Sequence, residues 1–288
     1  MESRNRNVWI IVAVVVVLLC VCVAAATVIG VLSARAVRNA VGDLPVGSLG
    51  TYYESERIVE SFVAGEAPSL RVDNFAGEIL VRVGESDTIQ VTATKRARRV
   101  SDLDRIEIEM AQEGGGVVAK SRKLVDLNNA VVDFEVTVPA RTRLDLYSGA
   151  GTTDARGIEN DVKVFTGAGT VTLRDVVGDI EAHTGAGLME VSRARGRVQM
   201  DTGAGEIQFQ GELQGDCRFT TGAGEIRLEL PADLNMAIDL SSGLGSVDVG
   251  YPVVGQTSTR SAKGTIGTGN DGSIYAFTGV GSIDLQRR

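Results

Sequence analysis

Two glutamates stand at matching positions of a sequence repeat, where they could act together as paired carboxylates. Glu206 and Glu225 each lie four residues after the threonine of a Thr-Gly-Ala-Gly cassette, and Glu190 lies six residues after another such threonine. Paired carboxylates carry out glycoside hydrolysis, one as the acid and the other as base or nucleophile. The alternative is an exposed acidic ladder balanced by Arg227, and this is the interpretation we expect to hold.

The other residues capable of chemistry are too few or too isolated to form a site. His183 is the only histidine, so neither a zinc ligand set nor a Ser–His–Asp arrangement can be assembled around it. The cassettes lack the aspartate of calcium-binding nonapeptide repeats. Cys217 falls in an apolar column, where a thiol acts as a small hydrophobic group. We therefore expect no metal, no cofactor and no enzymatic activity.

The cassette itself recurs through the second half of the chain. It reads SGAG at Ser148 and TGAG at Thr166, Thr184, Thr202 and Thr221, with degenerate copies at Ser242, Ser261 and Thr278. The spacings are 18, 18, 18, 19, 21, 19 and 17 residues. A period near 18 is too short for helical-pair repeats or propeller blades and fits one coil of a β-solenoid.

Apolar residues alternate on both sides of each cassette. They stand four and two residues before its first residue, as in Ile180 and Ala182, and five and seven residues after it, as in Met189 and Val191. Alternation with a period of two predicts two short, half-buried strands joined by a tight corner. The fold class is therefore predicted to be all-β, a single-chain β-solenoid.

The cassette residues have predicted structural roles. Corner glycines allow positive φ or close approach of neighbouring backbones; they are Gly149, Gly151, Gly167, Gly169, Gly185, Gly187, Gly203, Gly205, Gly222, Gly224, Gly243, Gly245, Gly279 and Gly281. The candidate surface ladder consists of Thr166, Thr184, Thr202 and Thr221. Its hydroxyls could cap corner amides or bond one another. As a flat regular array they could instead bind glycan or ice-like water, but we favour the structural role, because the threonine alternates in phase with the apolar columns.

The repeat begins before the first SGAG cassette. Asn74-Phe75-Ala76-Gly77 has apolar residues at the same offsets, and Gly114-Gly115-Gly116 is typical of the turn of a hairpin. We interpret residues 56–147 as irregular first coils and a cap, since open solenoid ends are exposed edges. Residues 148–288 are interpreted as the regular coils.

An apolar segment precedes these coils. Residues 8–32 carry no charge, and their 25 residues exceed the length needed to span a bilayer, about 20 residues. A cleaved signal is the alternative, but its apolar region is shorter. We predict a short tail at 1–7, a transmembrane helix at 8–32 and a linker at 33–55. The short tail favours a single-pass cell-membrane protein with the solenoid outside the cytoplasm.

Composition restricts the partners. Lys and Arg number 29 against 37 Asp and Glu, giving a net charge of −8, and no basic stripe is present. Nucleic-acid binding is therefore not expected. The 35 glycines with only 5 prolines fit a glycine-cornered fold rather than a disordered chain.

The chain resembles a bacterial family catalogued as "putative adhesins", also described as a domain of unknown function. The resemblance covers about residues 58–286 and is carried by LRVDNFAGEILVRV at 70–83, VVDFEVTVPARTRLDL at 131–146 and the cassettes from Ser148 to Leu285. It implies a β-solenoid, tethered in some members by one membrane helix. Some relatives are associated with envelope-stress operons, and the family supplies no catalytic motif.

These observations predict a membrane-anchored, non-enzymatic binding or scaffold module of the bacterial envelope. Its expected partners are the membrane, through residues 8–32, and cell-wall polymer or an envelope protein; end-to-end or lateral self-association is a further possibility. The alternatives are an accessory regulator of an envelope-stress response and, less favoured, a carbohydrate-active enzyme.

Overall fold

The computed structural model describes residues 54–288, which form strands and one short helix. The first part contains β1 (Glu54–Val63), β2 (Ser69–Asn74), β3 (Gly77–Val83), β4 (Thr88–Ala97), α1 (Val100–Leu103), β5 (Ile106–Glu113), β6 (Gly116–Lys123) and β7 (Ala130–Val138). The long repeat strands follow as β8 (Arg143–Arg156), β9 (Val162–Arg174), β10 (Ile180–Gly196) and β11 (Val198–Leu213).

Shorter strands complete the chain. They are β12 (Gly215–Ala223), β13 (Ile226–Leu230), β14 (Ala237–Leu244), β15 (Val247–Val249), β16 (Val254–Ser258), β17 (Ser261–Thr265), β18 (Gly272–Val280) and β19 (Ile283–Arg287). The prediction of an all-β fold is confirmed, and the sheet does not close on itself.

Successive repeats pair in parallel and in register. Thr166 of β9 lies beside Ser148 of β8 and Thr184 of β10, and Thr202 of β11 follows. Because the repeat length and the register agree, the apolar offsets of neighbouring repeats coincide. Their Val, Ile, Leu, Met and Phe side chains form one buried core.

The glycine cassette does not break the strand in the first repeats. β8 to β11 each run continuously through it, so the expected division into two strands appears only later, as in β12 and β13. In β10 the buried side chains include Ile180, Ala182 and Thr184, up to the first position of the cassette, and Met189 and Val191 after the cassette. The cassette therefore shifts the phase of alternation by one residue. In-register pairing preserves the ladder across this change of phase.

The second glycine of the cassette has two reasons to be glycine. Gly205 has a φ of +150°, a backbone conformation that residues other than glycine rarely adopt. A Cβ placed on Gly205 would also overlap the carbonyl oxygen of Gly187 in the neighbouring repeat. The first glycine, Gly203, has no positive φ, but a Cβ there would lie 2.6 Å from the carbonyl oxygen of Gly185. Close approach of backbones therefore governs both positions.

The early copy of the repeat joins the same parallel arrangement. Asn74 pairs with Ser148, and Gly77 pairs with Gly151, so the prediction that the repeat begins before Ser148 is confirmed. Asn74 is buried; its amide donates to the carbonyl of Val132, and its oxygen accepts from Ser121. The predicted hairpin through the three glycines is also confirmed, because β5 and β6 pair antiparallel across it.

The last repeats do not stack in chain order. β18, which carries the Thr278 cassette, pairs on one side with β12 and on the other with β14. The expectation that Ser261 opens another coil is wrong, because β17 runs antiparallel to both β14 and β16. Residues 254–265 thus form a hairpin at the sheet edge, while the C-terminal strands lie inside the sheet. Placing the hairpin outermost covers an edge that would otherwise expose β14.

Tyr251 stabilises the inserted C-terminal strands. Its hydroxyl lies 2.7 Å from the carbonyl oxygen of Leu230, 2.9 Å from that of Pro231 and 3.3 Å from that of Gln286. These carbonyls belong to the ends of β13 and β19 and the loop after β13. Burial raises the pKa of Tyr251 to about 12, so the hydroxyl keeps the proton that it donates.

The predictions for residues 1–7, 8–32 and most of 33–55 fall outside the described part of the chain. Within residues 54–288, no helix has the length and apolar character needed to span a bilayer.

Replacing Gly205 with alanine should lower the free energy of unfolding by at least about 2 kcal/mol, since the new Cβ adds both φ strain and backbone overlap. Gly65→Ala is the matched control, because a Cβ at Gly65 meets no atom closer than 3.5 Å. Urea unfolding of both variants measures the difference. Equal stability of the two variants would show that the cassette backbones are not closely packed.

Removing residues 272–288 should release the C-terminal hairpin while leaving β8 to β10 intact, because β14 loses its parallel partner β18. Hydrogen exchange should then show lost protection in β14, β16 and β17 and retained protection in the first repeats. Unchanged protection in β14 would contradict the inserted position of β18.

Candidate functional site

The threonine column lies inside the protein. Thr166, Thr184, Thr202 and Thr221 are all buried, because the first cassette position continues the inward phase of the preceding strand. The hypothesis of a surface ladder that binds glycan or ice-like water is therefore wrong for these residues. The phase shift of the cassette comes after the threonine and does not affect its direction.

Where the hydroxyls of this column form hydrogen bonds, they donate to carbonyls and do not cap corner amides; those of Thr166 and Thr202 have no hydrogen-bond partner within residues 54–288. Thr221 donates to the carbonyl oxygen of Gly205 at 3.2 Å, and Thr278 donates to that of Gly224 at 3.0 Å. Each acceptor is the second cassette glycine of the neighbouring repeat. The hydroxyl thus links adjacent repeats at the point where their backbones approach most closely. Thr184 instead donates to the carbonyl of Ala186 in its own repeat.

The paired glutamates are engaged by neighbouring side chains. Arg227 lies 2.6 Å from Glu225 and 3.8 Å from Glu206, and Gln208 donates to Glu206 at 2.6 Å. This is the balanced acidic ladder that the sequence analysis favours. A shallow cavity nearby is lined by Glu190, Val191, Ser192, Gln208, Phe209, Gln210, Arg227 and Glu229, so neither Glu206 nor Glu225 contributes to it.

His183 belongs to an aromatic column that sequence reasoning missed. Its ring stacks on Phe165 with 4.8 Å between centroids, and Phe165 stacks on Tyr147 with 5.2 Å. The guanidinium of Arg71 covers Tyr147 at 4.7 Å. All three rings stand one residue before a cassette, so the shared offset was the signal that could have revealed them.

Carboxylates flank the imidazole of His183 on both sides. Nε2 lies 3.2 Å from Glu181, and Nδ1 lies 3.3 Å from Asp201. Glu181 also accepts a hydrogen bond from Lys163, and this contact lowers the pKa of its carboxyl. The polar partners of this column thus come from β10 itself, through Glu181, and from the adjacent strands, through Lys163 and Asp201.

A second overlooked column contains arginines. Arg82 of β3 pairs with Arg156 of β8, which pairs with Arg174 of β9; each lies eight residues after the first cassette position. Asp154 serves the first two: Arg82 donates at 2.6 Å, and Arg156 donates to both carboxylate oxygens at 2.9 and 2.7 Å. Burial opposes ionisation of Asp154, but hydrogen bonds from Arg156 and Arg82 outweigh it and lower the pKa.

The arginine column extends to the next corner. Arg174 lies 3.3 Å from Glu190, and Arg193 forms a bidentate pair with Asp175 at 2.6 and 2.7 Å. Hydrogen bonds from Arg193 lower the pKa of Asp175, and the charges of Arg156 and Arg174 add to this effect. These side chains form one connected ionic cluster.

Cys217 is buried, as expected for a core column, and burial raises the pKa of its thiol. Within residues 54–288, no group of three or more His, Cys, Asp or Glu side chains is placed to hold a metal ion.

Comparison with known proteins gives structural similarities only. No family model matches the chain, and no curated protein matches it. A "putative cell adhesion protein" from Clostridium sporogenes is 12% identical with a TM-score of 0.39, covering 82% of this chain and all of that one. "Putative adhesins" from Bacteroides fragilis and Parabacteroides merdae are 12% and 9% identical, each with a TM-score of 0.31. They cover 80% and 79% of this chain and 97% and 96% of their own. The chain is thus similar to bacterial structures that bear the name of the family it resembles.

Asp154→Asn should destabilise the protein at neutral pH, because Arg82 and Arg156 would lose their shared counter-charge. The pKa of Asp154 is lowered on folding, so its contribution is present above its unfolded pKa, about 3.9, and is lost as pH falls through the folded value. The difference in unfolding free energy between wild type and variant should therefore be constant from pH 7 to 5 and shrink toward pH 2.

Urea unfolding of both proteins across this range measures the effect, with Asp126→Asn, at an exposed position, as the control. A difference that persists undiminished at pH 2 would contradict the ionic role of Asp154.

Proposed function

We propose that the chain is a membrane-anchored β-solenoid that serves as a non-enzymatic binding or scaffold module of the bacterial envelope. Residues 54–288 form the solenoid, and the apolar segment at 8–32 supplies the anchor. The module lies outside the cytoplasm and contacts cell-wall polymer or another envelope protein.

The in-register parallel pairing of repeats carries this proposal. It aligns equivalent outward residues at the strand spacing of about 4.8 Å, as in the column of Lys163, Glu181 and Gln199. Such columns cover long, regular faces, which suit contact with an extended or repetitive partner. A parallel ladder with an 18-residue register is also the pairing expected of stacked solenoid coils.

The geometry of the candidate carboxylates supports a non-enzymatic role. Glycoside hydrolysis needs one protonated acid and one free carboxylate facing the same cleft. Glu206 and Glu225 share Arg227 and lie outside the neighbouring cavity. Both carboxylates are therefore engaged by one shared arginine at the surface and do not face a common cleft.

Protease treatment of intact cells that express the full chain tests the proposed location. Added protease should cleave residues 54–288 without permeabilisation, while a cytoplasmic marker protein in the same cells remains intact. Isolated cell-wall material should also retain the detergent-solubilised full chain.

Protection of the chain until the membrane is opened would overturn the extracytoplasmic placement. Failure of wall material, and of cross-linking in intact cells, to capture any partner would overturn the binding role.

A further inference from the structure

The arginine column places like charges on neighbouring strands. Arg82, Arg156 and Arg174 lie on three adjacent strands about 4.8 Å apart, where like charges destabilise a sheet. The column of Lys163 and Glu181 instead pairs opposite charges at 2.6 Å. The arginines must therefore be neutralised by carboxylates of other columns or by a ligand.

The surrounding carboxylates leave this cluster with an excess positive charge. Four guanidinium groups face three carboxylates: Asp154 serves both Arg82 and Arg156, Glu190 lies beside Arg174, and Asp175 pairs with Arg193. The paired groups alone therefore carry four positive and three negative charges, in a chain whose formal net charge is −8; Glu135, on the other strand beside β3, forms no ion pair with Arg82. An anion is the ligand that would complete the neutralisation.

The hydrogen-bond donors of this cluster are only partly used. Asp154 is held by Nη1 of Arg82 and by Nε and Nη2 of Arg156. Nη2 of Arg82 and Nη1 of Arg156 remain for a ligand. The Asp154 side chain is 12% exposed, whereas those of Arg82 and Arg156 are 39% and 40% exposed. Asp154 thus orients the two guanidinium groups from their buried side. The more exposed side of each guanidinium group faces solvent.

We propose that Arg82, Arg156 and Arg174 bind the phosphate groups of an anionic, phosphate-bearing polymer of the envelope. Both oxygens of Asp154 are already engaged, and a phosphate group has enough acceptor oxygens to bond the remaining donors of Arg82 and Arg156 together. A polymer with repeated phosphates would contact successive arginines and bind by multivalency. This inference rests on the proposed envelope function and names the ligand class for it.

Binding of fluorescein-labelled linear polyphosphate to the full chain in neutral detergent tests the site by fluorescence anisotropy. The double variant Arg82→Gln/Arg156→Gln should weaken binding by at least about tenfold, as expected for the loss of several charge-assisted hydrogen bonds. Asp154→Asn should tighten binding by about threefold or more, since it removes the competing carboxylate. Hydrogen exchange at pH 7 verifies that each variant is folded.

Arg227→Gln is the matched control, because Arg227 is 37% exposed and serves glutamates on the same side of the cassettes. Its polyphosphate affinity should equal that of wild type. A tenfold loss for this control as well, or the absence of saturable polyphosphate binding to the wild type, would overturn the site. Equal affinity for polyglutamate would overturn the phosphate preference. Competition by inorganic phosphate at equal phosphate concentration would overturn the polymer requirement.

Retention by isolated cell-wall material separates this inference from the proposed function. If the double variant is retained as well as wild type, the arginine site is wrong and the envelope-binding role stands. If wall material retains neither protein but polyphosphate binding still depends on Arg82 and Arg156, the site stands and the wall-binding role falls.

Discussion

The close approach of neighbouring backbones at the second cassette glycine is the constraint on which the rest of this structure depends. A Cβ on Gly187 would overlap the carbonyl oxygen of Gly169, and a Cβ on Gly205 would overlap that of Gly187. Their positive φ also shifts the phase of the strand, so that alternate residues on both sides of the cassette reach one core. A repeat with another residue at this position could neither turn nor pack at this spacing.

In-register pairing follows from that constraint, and it turns every sequence offset into a spatial column. Inside, two threonines donate hydrogen bonds to cassette carbonyls of the neighbouring repeat, Thr221 to Gly205 and Thr278 to Gly224. Outside, each column must accommodate its own charges over about 4.8 Å. The column of Lys163 and Glu181 does so by pairing opposite charges, and that of Tyr147, Phe165 and His183 stacks its rings. The surface chemistry therefore differs from one column of residues to the next.

The local sequence pattern was sufficient to predict those structural features that depend only on residue offsets within one repeat. The 18-residue period and the apolar alternation predicted the all-β fold, the pairing of Asn74 with Ser148 and the glycine turn between β5 and β6. The insertion of β18 between β12 and β14 was not predictable in this way, because any repeat with the right offsets can pair with any other. The burial of the threonines was missed for a different reason. The threonine alternates in phase with the apolar columns, which favoured a structural role, but the hypothesis of a surface ladder placed its side chain on the outward face.

A column whose groups already pair or stack with one another is a poor candidate for ligand binding, even when its residue types suggest a site. Tyr147, Phe165 and His183 stack face to face, and Arg71 covers the free face of Tyr147, so the column presents ring edges rather than the faces that would stack on a sugar. Glu206 and Glu225 share Arg227, and Glu206 also accepts a hydrogen bond from Gln208, so both carboxylates have partners. At Arg82 and Arg156, one carboxylate serves two guanidinium groups, and donors remain unused at the surface. In a fold built from repeated columns, the capacity to bind lies where a column's own pairing is incomplete.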